Sequence, residues 1–489
     1  SNLHLVPVIN AARRAGARLV VIDPRRTKIA EQADRHLQLM PGTDLLLAWA
    51  MTKELERLGA FDHDFIRNHV HGFAAYLRSV RAIDGAAAAR ACGLDARAIT
   101  ELSEWYRDLE PAAISVGNGL ERNHNGGSAI RAIFALPALA GKFGVPGGGL
   151  VNGASFAFPK TADRLQRPDL VPPGTRTFNI IDVGRHLTDA TLAPPIKVVF
   201  IYNHNPLIVH PDQNRLRRGL ERADLFIVGA DVVMTDSMRY ADIVLPACSH
   251  FEHADVYAAY GQHWLQRAEP VIDPVGEALP NTEIFRRLAA RFGFTEDAFR
   301  ATDEQLIDAA LELRGGRASQ LPVDRATPMP EGGAELVMFA NVFPGTPSGK
   351  VELESQYLAQ RFGQPLPVHR QRTAKFPLVL LSPASDQRIT STFGGVGAEL
   401  PVLDMHPEDA SARGLESGAR VRAFNELGEV HFTLAVTDRV RAGVVSTPKG
   451  AWLSTSVNRQ TVSALAPAHH ADLCHGACFN DATVEVAPA

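Results

Sequence analysis

Asp23, Arg25, Arg26 and Thr27 follow directly on the apolar run Leu19-Val20-Val21-Ile22. Gly42, Thr43 and Asp44 complete a second turn that begins at Pro41. These residue types suit an anionic ligand with hydrogen-bonding edges. Guanidinium groups pair phosphate oxygens in a planar fork, and carboxylates accept hydrogen bonds from a sugar hydroxyl or a guanine N–H. A β-branched run that stops at an acid is a strand delivering its carboxylate to the carboxyl edge of a sheet, where open α/β sheets bind nucleotides. Taken singly, either turn also reads as an ordinary βα connection, with Asp23 a turn residue and Thr43 or Asp44 a helix N-cap.

Three further stretches carry similar chemistry. Val116-Gly117-Asn118-Gly119 opens a polar loop that runs through Asn123, His124 and Asn125 to Gly126-Gly127, with Arg131 beyond it. Glycines after a strand let backbone approach a ligand, and a helix N-terminus attracts anions; a surface arginine pairing a local carboxylate is the plainer reading of Arg131. Ile201 to Pro206 ends a strand in the polar turn Asn203-His204-Asn205, where Asn205 also suits a plain Asx-Pro turn. Val228 to Asp231, Thr235, Ser237 and Ala241-Asp242 repeat the first pattern of strand, acid, polar turn and Ala-Asp before an apolar strand. Cys474-His475, Cys478, His469 and His470 invite a metal reading, but the Cys-x-x-x-Cys spacing is not that of a usual zinc or iron–sulfur knuckle. A loop with incidental thiols near a barrel edge is the plainer reading, and no metal ligands are expected.

The elements needed to position these residues are legible from periodicity. Helices are expected at Leu5–Ala15, Leu45–Leu58 and around Ala129–Lys142, and strands at Arg18–Ile22, Ala113–Val116, Lys197–Tyr202, Leu225–Val228 and Ile243–Pro246. Such alternation predicts doubly wound α/β domains with mostly parallel sheets. After residue 377 the pattern turns to short β runs, the signal for a small β-barrel. The expected domains are an α/β unit over 1–150, a second over 151–330, a linker over 331–376 and a C-terminal barrel over 377–489. At 489 residues, 45% apolar and 21% charged, the chain exceeds one core. Fifty basic and fifty-four acidic side chains, net −4, argue against nucleic acid or an anionic membrane as the main partner. No run is long enough to span a bilayer, and the cysteines at 92, 248, 474 and 478 form no disulfide framework.

In order and spacing these motifs resemble the molybdopterin oxidoreductases of the dimethyl sulfoxide reductase and formate dehydrogenase superfamily, over nearly the whole chain. Ala140 to Gly144 resembles the formate dehydrogenase branch. The resemblance implies a bis(molybdopterin guanine dinucleotide) cofactor carrying molybdenum or tungsten, and a C-terminal barrel of the double-psi type covering it. It implies cofactor contacts at Asn2, Asp23, Arg25, Thr27, Gly42, Asp44, Gly117, Gly119, Asn205, Asp231, Thr235, Asp242, Ser391, Asn458 and Asn480, and a substrate-facing Arg131. Ser1-Asn2 looks like the end of the family's Trp-Gly-x-Asn turn, so the chain reads as a fragment that begins after the metal-ligand region. An iron–sulfur cluster then belongs only to preceding residues, and the fragment alone is expected to be inactive.

The implied activity is two-electron or oxygen-atom transfer on a small substrate such as formate or a sulfur or nitrogen oxide, with an iron–sulfur electron-transfer subunit as a possible partner. The alternative is a non-catalytic electron-transfer subunit that keeps the fold without the pterin. A nicotinamide-binding Rossmann enzyme fits less well, because the first βα turn lacks Gly-x-Gly-x-x-Gly. Two departures from the family pattern stand out. Asn203 occupies a usual glycine position, and Asp255-Val256-Tyr257 with Tyr260-Gly261 replaces a Gly-Thr-x-x-Asn run.

Overall fold

The computed structural model describes residues 5–151, 157–258, 262–371, 373–386, 388–396 and 400–489. Asn2 lies outside them. In the N-terminal part, β1 (Val20–Ile22) and β2 (Arg35–Leu37) pair in parallel, Val20 opposite Arg35. The helix Asp44–Arg57 follows β2. It has no glycine or proline in its interior, begins with an acid at the positive end of its dipole, and stops at Leu58 ahead of Gly59 at φ +63°. Leu45 and Leu55 are 0% exposed, each burial worth about 2 kcal/mol. With Trp49 and Met51 they pack into one core with Ala132, Ala135 and Leu139 of the helix Gly126–Leu139.

β3 (Val70–His71) lies farther along this unit, and β4 (Ala113–Ser115) pairs in parallel with β5 (Gly149–Val151). In the middle of the chain, β6 (Val198–Tyr202), β7 (Phe226–Asp231) and β8 (Ile243–Pro246) form a parallel sheet in that order. The helix Gln213–Leu220 covers it, burying Leu216 and Leu220 against Ile201 and Ile227. A second sheet there, unexpected from the sequence, is antiparallel: β9 (Asp255–Ala258), β10 (Trp264–Ala268) and β11 (Thr327–Pro328).

The stretch 331–376, read from sequence as a linker, is tied into the first unit. β12 (Val351–Glu352) pairs with β3, and Leu353 is 3% exposed within the first core. The C-terminal part is a closed barrel of β13 (Leu378–Leu381), β14 (Val402–Met405), β15 (Arg420–Phe424), β16 (Glu429–Val436), β17 (Val444–Ser446) and β18 (Thr483–Pro488). Its order is β13-β17-β14-β16-β15-β18, with parallel and antiparallel pairs mixed. The strict alternation in β16 puts Val430, Phe432 and Leu434 inside.

Candidate functional site

The turn after β1 is built around the Asp23 carboxylate. Its Oδ1 accepts from the Arg25 N–H at 2.8 Å and lies 3.7 Å from the Arg25 Nε. The Asp23 carbonyl meets His36 Nε2 at 2.9 Å, which ties the turn to β2. Thr27 starts the next turn, its Oγ1 3.4 Å from the Ala30 N–H. Gly42 sits at φ +82° with open space around it, so glycine is required there for its backbone. The Thr43 hydroxyl donates to the Met40 carbonyl at 2.7 Å and leaves Asp44 at the helix start. Burial pushes the Asp44 carboxyl up to about 6; its own backbone N–H opposes the rise and the nearby Asp23 carboxylate adds to it. The two turns thus bring two carboxyl groups together at the end of β1. They are poised to accept N–H or O–H donors.

The second turn set repeats this plan at the carboxyl ends of β6 and β7. Asp231 ends β7, its Oδ1 accepting from the Val232 N–H at 2.7 Å; burial raises its pKa, opposed by the Val232 and Val233 N–H groups. Asn205 Oδ1 accepts from the Ser237 hydroxyl at 2.7 Å, while its Nδ2 is buried without a hydrogen-bond partner. Thr235 Oγ1 lies 3.3 Å from the Met238 N–H, at the start of a single 3-10 turn. Asn203 holds φ +49°, the left-handed conformation that a glycine would adopt freely and that asparagine tolerates.

The repeat extends to the Ala-Asp dipeptides. Asp34 Oδ2 accepts from the Leu19 N–H at 2.7 Å, and the Asp34 N–H donates to the Leu19 carbonyl at 2.8 Å. Asp242 Oδ2 accepts from the Ile227 N–H at 2.7 Å, and its N–H donates to the Ile227 carbonyl at 2.8 Å. Each aspartate pins the start of its neighbouring strand. Asp242, which the resemblance assigns to the cofactor, thus spends its Oδ2 on the sheet.

The barrel reaches both turns. Arg25 forms a β-bridge with Val440, the Arg26 N–H donates to the Arg439 carbonyl at 2.6 Å, and the Arg441 N–H to the Pro24 carbonyl at 3.3 Å. Arg441 Nη1 also donates to the Gln38 carbonyl at 2.6 Å. At the other turn, buried Asp236 accepts from the Leu453 N–H at 2.7 Å, and Gln213 donates to Thr461 Oγ1 at 2.9 Å. Nothing in the sequence pattern marks Asp236 or Arg441. Asp34 was accessible in principle, since Ala33-Asp34 repeats as Ala241-Asp242.

Other expected residues have varied surroundings. Gly119 and Asn480 meet: Asn480 Nδ2 donates to the Gly119 carbonyl at 2.9 Å. Gly117 caps the same loop, its carbonyl accepting from the Leu120 N–H at 3.2 Å. Ser391 presents its carbonyl to Trp452 Nε1 at 2.8 Å. Asn458 Nδ2 donates to the Glu429 carbonyl at 2.7 Å, a bond that organises the barrel.

Arg131, which the resemblance turns towards the substrate, has an Nη2 that donates to the Leu353 carbonyl at 2.9 Å and the Pro365 carbonyl at 2.8 Å, and an Nη1 that is buried without a hydrogen-bond partner. Burial lowers its pKa, partly offset by Tyr76, Asp472 and Glu352. The guanidinium fastens the 353–365 segment onto the first core. The helix Gly126–Leu139 does not offer its N-terminus to a ligand either, because Asp472 accepts from the Gly127 N–H at 2.9 Å and the Ser128 N–H at 3.1 Å.

Two strand-end turns of repeated design thus lie under one barrel. Residues 4–291 match the molybdopterin oxidoreductase family model, and residues 383–478 match the molybdopterin dinucleotide binding domain. The chain belongs to the molybdopterin oxidoreductase family, whose members are molybdopterin-dependent enzymes. It is 34% identical to the probable oxidoreductase YoaE of Bacillus subtilis, covering 99% of this chain and 72% of that protein. It is 27% identical to the dimethyl sulfoxide/trimethylamine N-oxide reductase of Rhodobacter capsulatus, covering 92% and 63%. In fold it matches acetylene hydratase from Pelobacter acetylenicus with a TM-score of 0.82 at 23% identity, covering 98% of this chain and 75% of that one. Among the described residues no helix is long and apolar enough to cross a membrane.

Proposed function

We propose that the chain holds two molybdopterin guanine dinucleotides, one at each strand-end turn, for a molybdenum or tungsten centre that oxidises or reduces a small molecule such as formate or a sulfur or nitrogen oxide. The observation that carries this reading is the buried, partnerless Nδ2 of Asn205 on the turn after β6, matched at the first turn by the half-buried Asp44 carboxyl. An unsatisfied buried amide costs roughly 1–3 kcal/mol, and a polar ligand edge removes that cost. The residues present therefore fit the group.

Asp23 and Asp44 would accept from a base or ribose, and Arg25 and Thr27 would hold phosphates. Gly42 would let the backbone turn close to the ligand. Asn205, Asp231 and Thr235 would hold the other dinucleotide at the second turn. Gly117, Gly119, Ser391 and Asn480 would line the cover. When bound, the metal–pterin group supplies the two-electron redox couple; the chain binds, orients and shields it. An iron–sulfur subunit is the electron partner in this reading.

Asn205→Ala tests it. The variant should fold normally and lose pterin, released and measured by fluorescence, by tenfold or more. Full pterin content in a folded variant would remove Asn205 from the site.

A further inference from the structure

The loop that leads into β18 folds back on itself. His470 bridges Ala477, and the Ala471 N–H donates to the Gly476 carbonyl at 2.9 Å. This closure brings His469 beside Cys478. The 3-10 turn Phe479–Asp481 comes next, with Cys478 immediately before it. Positions i and i+3 eclipse on such a turn, so Cys478 and Asp481 face the same side. One nitrogen of His469, the Cys478 Sγ and one carboxylate oxygen of Asp481 all lie within 4.8 Å of one another. Cys478 is 0% exposed and the Asp481 side chain 6%.

His124, from the loop of the first unit, holds the same carboxylate in place. Its backbone N–H donates to Asp481 Oδ2 at 2.9 Å, and its Nδ1 lies 3.2 and 3.3 Å from the two carboxylate oxygens.

We propose that His469, Cys478 and Asp481 bind one divalent transition-metal ion of the zinc class, with the fourth position open to water. Nitrogen, thiolate and carboxylate are the donors such an ion takes. Tetrahedral ligands at zinc distances stand about 3.3–3.8 Å apart. The 2.6 Å His469–Asp481 hydrogen bond must open by about 0.7 Å to meet this. The His124 backbone N–H on Asp481 Oδ2 is an outer contact of the kind that orients a ligating carboxylate. None of these residues belongs to either dinucleotide turn. The ion would pin the 469–478 loop to the 3-10 turn that leads into the barrel's last strand.

The test is titration of the purified, chelator-treated protein with Co(II), followed by difference absorption, with Zn(II) as competitor. Uptake of one equivalent with a thiolate-to-cobalt charge-transfer band, displaced by Zn(II), is the expected result. Cys478→Ser should abolish the band, Asp481→Asn should weaken binding at least about tenfold, and exposed Cys474→Ser should change neither. The wild-type titration decides even if a variant fails to fold. No charge-transfer band in the wild type, or a band lost in Cys474→Ser but kept in Cys478→Ser, overturns the proposal and leaves an imidazolium–carboxylate cluster.

Discussion

The Asp44 carboxyl, raised to about 6 by burial, gives the cofactor-free protein a defined pH dependence. Its unfolded value is about 3.9, so between about pH 4 and 6 the native state holds the extra proton. Stability is greatest below the unfolded value and falls as pH rises through the native one. After allowance for its half-buried position the loss is about 1–2 kcal/mol. Urea unfolding at both ends of this window should show the slope in the wild type and its disappearance in Asp44→Asn. An equal slope in both proteins would mean that the carboxyl is not held neutral. Arg131 makes the opposite kind of statement, since its partners are backbone carbonyls. Arg131→Met leaves two acceptors without a donor and should lower stability by about 2–4 kcal/mol. Turnover per molybdenum should stay within a few-fold of wild type; a large loss at normal stability would return Arg131 to the substrate site.

Among elements, the two strand–turn–strand units share one internal pin. Asp34→Ala and Asp242→Ala each remove the acceptor for a strand N–H and should cost about 1–3 kcal/mol, to a similar extent. Chemical denaturation measures both. If Asp242→Ala kept its stability and lost dinucleotide instead, the pin assignment would fail. The Asp472 cap of the helix Gly126–Leu139 joins barrel to first unit. Asp472→Ala should cost about 1–2 kcal/mol and open the 469–478 loop to limited proteolysis. The parallel strands and long helices were legible because apolar periodicity is local: Ile243–Pro246 is a strand with the bounds read from sequence, and the helix expected at Leu45–Leu58 runs from Asp44 to Arg57. β9, β10 and β14 were not, since Asp255, Gln266, Arg267 and Asp404 break an apolar run. Residue types found the polar turns, but not which carboxylates face inward. Asp23 and Asp242 have the same chemistry, and only the fold shows that Asp242 Oδ2 accepts from the Ile227 N–H.

Over the whole molecule the barrel acts as a clamp. Arg439, Val440 and Arg441 close on the Asp23 turn, and Leu453 and Thr461 close on the Asp236 and Gln213 side of the other. The barrel thereby ties the two strand-end turns to one another, as the proposed cofactor with two arms would require. The reach of these contacts is legible only in three dimensions, because they join residues hundreds of positions apart. The most direct measurement of the central claim is the count of guanine nucleotide released per chain from the purified protein and from the Asp44→Ala/Asn205→Ala double variant. Two nucleotides per chain in the wild type, and near-complete loss in a folded double variant, is the result expected. A full nucleotide load in the double variant, or no guanine nucleotide in an active wild type, would contradict the assignment of both turns.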